Sequence, residues 1–309
     1  MEVSQGIDRL SALPPGSVIS VGNFDGVHLG HQAIIARMRE LAREAPIAVV
    51  TFEPHPLTVL RPHLAPPRLT SAVTKRQLLV DAGVDHLIVL PPSPDVLGLT
   101  AEQFWQILRD DVRPAHIVEG RAFNFGRDRA GTITRLQEWA RDTPIAVHLV
   151  PSAECTLSDR SVIDVSSSTI RWLLGNGRVR DAAACLGRPF ELSGEVVKGF
   201  ARGRTIGVPT ANLQCDDLVV PADGVYAGEA IVLDVRYPAA ISIGATPTFD
   251  RNQFQVEVHL IGFTGDLYGQ TLHVRVLEWI RDQAKFPSVD ELKVQLGRDL
   301  ESARLAARE

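Results

Sequence analysis

Apolar positions along this chain change their spacing near Gly187. Before it, short apolar runs alternate with segments of helical period. SVISVG, ending at Gly22, is followed by HQAIIARMRELAREA, where Ile34, Ile35, Met38 and Leu41 fall on one side of a helix. Strand-like IAVVTF, HLIVL, AHIVEG and AVHLV are interleaved with helical SAVTKRQLLVDAG, TAEQFWQIL and TRLQEWAR. Thr100 and Gln103 have the spacing of a capping box. This alternation predicts an α/β fold with a doubly wound parallel sheet. SSSTIRWLLGNGRVRDAAACLG is read as a final helical stretch that closes this half.

After Gly187 the runs ELSGEVVKG, DGVYAGEAIVLD, YPAAISIGA, QFQVEVHLI and LHVRVLEWI are β-rich and separated by turn residues. With no long helix between them, they predict an antiparallel sheet or small β-barrel. PSVDELKVQLGRDLESARLA then ends the chain as a helix. Ser288 and Glu291 suit a capping box there, and Leu292, Leu296 and Leu300 mark an inner face. The expected domains are therefore 1–186 and 187–309.

Composition narrows the class. The 309 residues are 45% hydrophobic and 22% charged, as in a soluble globular protein. A formal charge of −5 argues against a general nucleic-acid binder, and no run approaches the roughly 18 apolar residues of a membrane span. The N-terminal stretch lacks the basic start and apolar centre of a signal peptide. Cys155, Cys185 and Cys215 show neither zinc nor disulfide spacing, so reduced thiols in a cytoplasmic protein are expected.

The candidate chemistry of the first half sits in GNFDGVHLGHQ, a strand-to-helix turn. Such a turn gathers free backbone N–H groups and the positive end of a helix. His28 and His31, three apart, place both imidazoles on one side, while Gly26 and Gly30 admit phosphate oxygens close to the backbone. By itself the spacing also fits ordinary helix-cap residues. FEPHP, at the end of the next strand, offers Phe52 and His55 to a flat ligand, with Pro54 and Pro56 stiffening the loop. VSSSTIRWLL supplies Ser166, Ser167, Ser168 and Arg171, which suit a phosphate clamp or a plain serine cap.

In the second half, GRTIGVPTANL offers Thr210 and Asn212 beside glycines, hard oxygens suited to magnesium and phosphate. A turn between strands is the simpler alternative. Glu257, in QVEVHL, alternates with Val256 and Val258 and so lies on the opposite face. Beside a substrate hydroxyl it would act as general base, and otherwise it is a solvated carboxylate.

GNFDGVHLGH, FEPHP and SSSTIR, followed by GRTIGVPTAN, GVYAG, VEVHL, GDLYG and IRDQAKF, resemble the bacterial bifunctional riboflavin kinase/FAD synthetases in motif and order. The resemblance implies a nucleotidyltransferase domain followed by a six-stranded kinase barrel. For the first it implies ATP at Gly22, Asn23, Phe24, Asp25, Gly26, Gly30, Ser166, Ser167, Ser168 and Arg171, with His28 and His31 catalytic. Phe52, Pro54, His55 and Pro56 would border the flavin, as would Phe123, Asn124 and Phe125 of EGRAFNFG. In the second it places ATP at Gly203, Arg204, Thr210 and Asn212, magnesium at Thr210 and Asn212, and makes Glu257 the base.

The chain departs from the family pattern at Ala122, where an Asp or Asn is usual, and at Ser242, Thr246 and Gly262. A hydrogen bond lost at Ala122 costs about 0.5–1.5 kcal/mol if water replaces it, and more if a buried partner is stranded. The expected substrates are riboflavin, FMN and ATP, with magnesium as cofactor and FAD as final product. No nucleic-acid or membrane partner is expected, and the sequence leaves room for a homo-oligomer. Three rivals stand beside this reading. One is a single-activity riboflavin kinase whose nucleotidyltransferase half is lost or retargeted, and another is a non-catalytic flavin-binding regulator. The third is an enzyme with the same histidine motif that loads a different nucleotide, such as CTP, or uses a different alcohol substrate.

Overall fold

The computed structural model describes residues 1–199, 207–245 and 254–308. The chain divides into two compact units, Met1–Pro67 with Ala72–Glu154, and Arg68–Ser71 with Cys155–Glu309.

The first unit runs β1 (Glu2–Gln5), β2 (Val18–Val21), α1 (Leu29–Ala42), β3 (Ile47–Phe52), the one-turn α2 (Leu57–Leu60), α3 (Ala72–Asp81) and β4 (His86–Leu90). It continues with the one-turn α4 (Pro94–Leu97), α5 (Ala101–Gln106), β5 (His116–Gly120), the short pair β6 (Asn124–Phe125) and β7 (Gly131–Thr132), α6 (Ile133–Ala140) and β8 (Ala146–Val150). Six strands form a parallel sheet in the order β1-β4-β3-β2-β5-β8. Alternate residues serve opposite cores: Ile19, Ala48 and Val50 join one cluster, and Val18, Ile47 and Val49 the other. Strands covered on both faces have no polar side, which is why they read as continuous apolar runs. The predicted helix starts two residues early, at Leu29, and buries Ile35 and Met38. Thr100 and Gln103 form the expected reciprocal cap. β1 escapes the apolar pattern because its residues are mostly exposed and it joins the sheet edge through β4.

In the second unit a ribbon of β9 (Glu154–Thr156) and β10 (Val162–Asp164) leads to α7 (Ser167–Gly175) and α8 (Val179–Leu186). The stretch expected as one helical segment is thus two helices, parted at Gly177 with φ 71°. Next come β11 (Phe190–Val197), β12 (Ala211–Gln214), β13 (Gly224–Val232), β14 (Val235–Ala245), β15 (Phe254–Leu260), β16 (Thr271–Arg281) and α9 (Val289–Ala306). The six strands close a barrel in the order β11-β12-β15-β14-β13-β16, every pairing antiparallel.

By packing, the two compact units divide after Glu154, so residues 155–186 group with the barrel. The reason is α8, whose buried positions Val179, Ala182, Cys185 and Leu186 accompany contacts with β11 and β16. The last helix packs on β13, β14 and β16, with Leu292, Leu296 and Leu300 partly buried. Its deepest residues are Asp299 and Ala303, because Arg281 grips Asp299 with bonds of 2.7 and 3.0 Å. A charged pair at the seam is invisible to a pattern of leucines. Ser288 caps this helix by accepting from Glu291 N, while the Glu291 carboxylate takes the Ser288 hydroxyl. No helix among the described residues is long and apolar enough to cross a membrane.

Candidate active sites

In the parallel unit, GNFDG follows β2, FEPHP follows β3 and GRAFNFG follows β5. These strands are neighbours in the order β3-β2-β5, so three distant motifs meet at one sheet edge. The chain winds one way from β2 through β3 to β4, then returns to place β5 on the other side of β2. That reversal makes β2/β5 the topological switch point, the usual ligand crevice of such sheets.

The turn from Gly22 is tightly built. Gly22 N–H donates to Val50 O at 2.9 Å, and Thr51 Oγ1 donates to Asn23 O at 3.0 Å, tying the turn to β3. Phe24 and Val27 have φ of 48° and 38°, yet both side chains are buried, so packing holds them in a region such residues avoid. Gly26, at φ 83°, completes the reversal without a Cβ penalty. Gln32 Nε2 donates back to Val27 O at 2.9 Å. Asp25 and Gly30 are partly exposed in the same turn.

His28 is the positional N-cap of α1, but its side chain makes no capping hydrogen bond. Its ring stacks on His31 with centroids 3.7 Å apart, and Phe24 lies 4.9 Å from His31 on a tilt. The plain helix-cap alternative therefore fails, and both imidazoles do share one side. Burial, then the neighbouring His28 and Lys75, holds the His31 imidazole well below its usual pKa, so it is neutral at physiological pH. Its buried Nδ1 has no hydrogen-bond partner among the described residues. Lys75, on α3, is itself buried and forms an ion pair with Glu53 of FEPHP at 2.5 Å. Sequence reading missed this lysine because nothing in the pattern SAVTKRQLLVDAG marks one polar position as buried.

The other predicted residues of this unit divide. Phe52 is partly buried and packs against the core, and Pro54 is exposed. His55 Nδ1 accepts Leu57 N–H at 3.1 Å, and Pro56 is the residue before α2, so part of FEPHP organises its own turn. Phe123 stacks on Phe125 at 5.3 Å. Phe125 is buried and meets Phe104 and Trp139, which makes it a core residue. Asn124 is exposed, and its amide donates to Ala122 O at 2.8 Å. Ala122 is exposed too, so no buried partner is stranded by its lack of a polar group.

Of the serine stretch, Ser166 accepts Thr169 N–H at 3.1 Å and caps α7, as the simpler reading expected. Ser167 and Ser168 begin that helix, and Arg171 is partly buried on it. All four residues belong to the second unit.

The barrel assembles its site through register. Asn212 on β12 pairs with Glu257 on β15, which pairs in turn with Ser242 on β14. Residues paired in this way share a face. It is the outer face, because Leu213, Val256, Val258, Ile241 and Ile243 are the buried ones. Gln283 donates its amide to Ser242 Oγ at 2.9 Å and to Ile243 O at 3.1 Å, filling the place beside this row. His259, two residues along the same face, donates from Nδ1 to Pro209 O at 2.7 Å and anchors the loop that carries Thr210. Gly199 lies against the Asn212 amide, and a Cβ there would come within 2.2 Å of Asn212 Nδ2. Gly203, Arg204 and Thr246 fall outside the described residues.

Whether this face suits magnesium is tested by Asn212. Its Oδ1 is buried and has no hydrogen-bond partner among the described residues. An orphaned carbonyl oxygen is costly unless something takes it, and a hard cation does so. The residues present fit the ion.

Comparisons with known proteins find two family models in succession along the chain. The family model described as FAD synthetase matches residues 10–167, and that described as riboflavin kinase matches 186–307. A bifunctional riboflavin kinase/FMN adenylyltransferase of Escherichia coli K12 is 36% identical, over 98% of this chain and 97% of that protein. The protein of the same description from Pseudomonas fluorescens is also 36% identical, over 99% and 98%. A solved Streptococcus pneumoniae chain, described as a macrolide-efflux protein, superposes with a TM-score of 0.87 at 34% identity, covering 98% of this chain and 99% of that one. With both family models in one chain and near full-length identity above 30%, the chain belongs to the bifunctional riboflavin kinase/FMN adenylyltransferase family.

Proposed function

We propose that this chain makes FAD from riboflavin in two steps, phosphorylating riboflavin on the barrel and adenylylating FMN at the histidine turn. The observation that carries this reading is the presence of both motif sets, each on its own fold, across nearly the whole length of bifunctional relatives. That coverage favours it over a single-activity kinase or a non-catalytic binder.

On the barrel, Glu257 takes the proton from the riboflavin 5′-hydroxyl. The freed oxygen forms a bond to the γ-phosphorus of ATP, and ADP leaves. Asn212 and Thr210 hold magnesium, which neutralises phosphate charge when bound. Gly203 and Arg204 are assigned to ATP on the resemblance.

At the turn, an FMN phosphate oxygen attacks the α-phosphorus of a second ATP, and pyrophosphate leaves. FMN's phosphate is already ionised near neutral pH, so positioning and charge stabilisation suffice. His28, His31, Gly26, Gly30 and the first-turn N–H groups of α1 hold the phosphates, with Gly22, Asn23, Phe24 and Asp25 shaping the turn. Phe52, Pro54, His55, Pro56, Phe123 and Asn124 border the flavin, and Phe125 supports Phe123 from the core. Ser166, Ser167, Ser168 and Arg171 are assigned to this ATP on the resemblance alone, and with them the functional modules 1–186 and 187–309. The three cysteines are free thiols, which supports a cytoplasmic setting, with small molecules as partners.

The test is a chromatographic time course with riboflavin, ATP and magnesium, beside a second reaction started from FMN. FMN followed by FAD in the first, and FAD in the second, is the expected result. FMN that accumulates without FAD in either would remove the adenylylation half. Omitting magnesium is expected to stop both reactions.

A further inference from the structure

The carboxyl end of β5 carries a buried acid that the phosphate chemistry above does not use. β2 lies between β3 and β5, and its N–H groups point alternately to each. Val18 and Gly22 donate toward the β3 side, to Pro46 O at 3.0 Å and Val50 O at 2.9 Å. Val21, one residue before Gly22, therefore turns its N–H toward β5. The β2–β5 ladder pairs Val18 with His116 and Ile19 with Ile117, and goes no further. β5 itself continues beside β8 as far as Gly120 opposite Val150. The strands thus part where the chain enters the Gly22–Gly30 turn.

Glu119 reaches into that parting. Its Oε1 accepts Val21 N–H at 2.7 Å, and Ser20 Oγ donates to Oε2 at 3.4 Å. Glu119 is 2% exposed and Ser20 fully buried. A backbone acceptor on β5 would draw the two strands to ladder spacing, about 4.7–4.9 Å, and close the crevice. A carboxyl on two methylenes satisfies the same N–H from further away. We propose that Glu119 is a positioning residue of the adenylylation site, standing in for a missing backbone acceptor so that β2 and β5 stay apart and the nucleotide-holding turn keeps its pose. Burial pushes its carboxyl well above the usual carboxylate range, against the opposing bonds from Val21 and Ser20. The inference rests on the assignment of the Gly22–Gly30 turn to ATP.

The full-length protein serves for the test, as Glu119→Gln, Glu119→Asp and Glu119→Leu. Three quantities are read: the ATP dependence of FAD formation from FMN, riboflavin phosphorylation, and deuterium exchange of backbone amides over residues 21–30. Glu119→Leu, which has no acceptor, is expected to lower kcat/KM for ATP about tenfold and to speed exchange by a similar factor. Riboflavin phosphorylation should not change. Glu119→Gln keeps an acceptor at the same reach and should stay within about twofold of wild type. Glu119→Asp, one methylene shorter, should fall between them, so the comparison survives a Leu variant that folds poorly. An Asp variant identical to wild type, or a Gln variant as impaired as a folded Leu variant, would overturn the proposal. If the wild type makes no FAD while Glu119→Leu still speeds exchange, the assignment to FMN adenylylation fails and the positioning role stands.

Discussion

The two regions proposed to handle phosphate are built in opposite ways. At the histidine turn the functional groups are sequence neighbours, and the fold's task is to hold a short contorted stretch still. Buried Phe24 and Val27 at positive φ, Thr51 on Asn23, and Gln32 on Val27 do so. On the barrel the groups are far apart in sequence, and antiparallel register lines up Asn212, Glu257 and Ser242 in one row. The first site stores backbone strain in a buried setting, whereas the second is a partly exposed face of unstrained strands. A contiguous motif thus reveals the first site, while the second depends on which strands pair.

The sharpest way to break this comparison is to silence one site and read the other. Glu257→Gln should cut riboflavin phosphorylation by roughly 10²–10⁴-fold, the usual worth of a general base. FAD formation from supplied FMN should remain. His28→Ala or His31→Ala should do the reverse, lowering FAD formation by about 10²–10³-fold, as for lost preorganised donors at a phosphate site. Equal loss of both activities in a folded single variant would sink the separation of the sites.

Smaller effects test how each site is held. In Gly199→Ala the new Cβ would overlap the Asn212 amide. Riboflavin phosphorylation should fall by at least about tenfold and need more magnesium, measured by titrating the metal at fixed ATP. His31 tests the buried character of the turn. Its folded pKa lies below the unfolded value of about 6.5, so below that pH the unfolded chain binds the extra proton first. Its cost to stability is absent above pH 6.5 and grows as pH falls toward the folded pKa. Urea midpoints at pH 7.5 and 5 should therefore differ less in His31→Gln than in wild type. The smallest change expected is at Ala122. Because its side chain is exposed and its carbonyl already receives Asn124, Ala122→Asn should alter kcat/KM for FMN by less than about threefold.

Several features were legible because their physics is local. Alternating apolar runs predicted the parallel sheet, and the Thr100–Gln103 cap and the placement of Glu257 opposite Val256 and Val258 followed from periodicity alone. Other features were hidden. β1 carries no apolar signal because it is an exposed edge strand held by backbone bonds to β4. Phe125 looks like a ligand-facing aromatic in sequence but packs against Phe104 and Trp139. Asp299 reads as a solvated residue of a C-terminal helix, yet Arg281 buries it. That α8 packs with strands of the barrel could not be read from the change in periodicity, since nothing local marks its partner.

By itself the sequence determined the two fold classes and the contiguous motifs, because spacing along a helix or strand is fixed by local geometry. It also carried the order of those motifs, and with it the family. Only the tertiary structure decided what meets across distance: Lys75 on Glu53, Gln283 on Ser242, and Glu119 on Val21, 98 residues away. Those contacts arise from strand order and register, which long-range packing selects and no local pattern encodes.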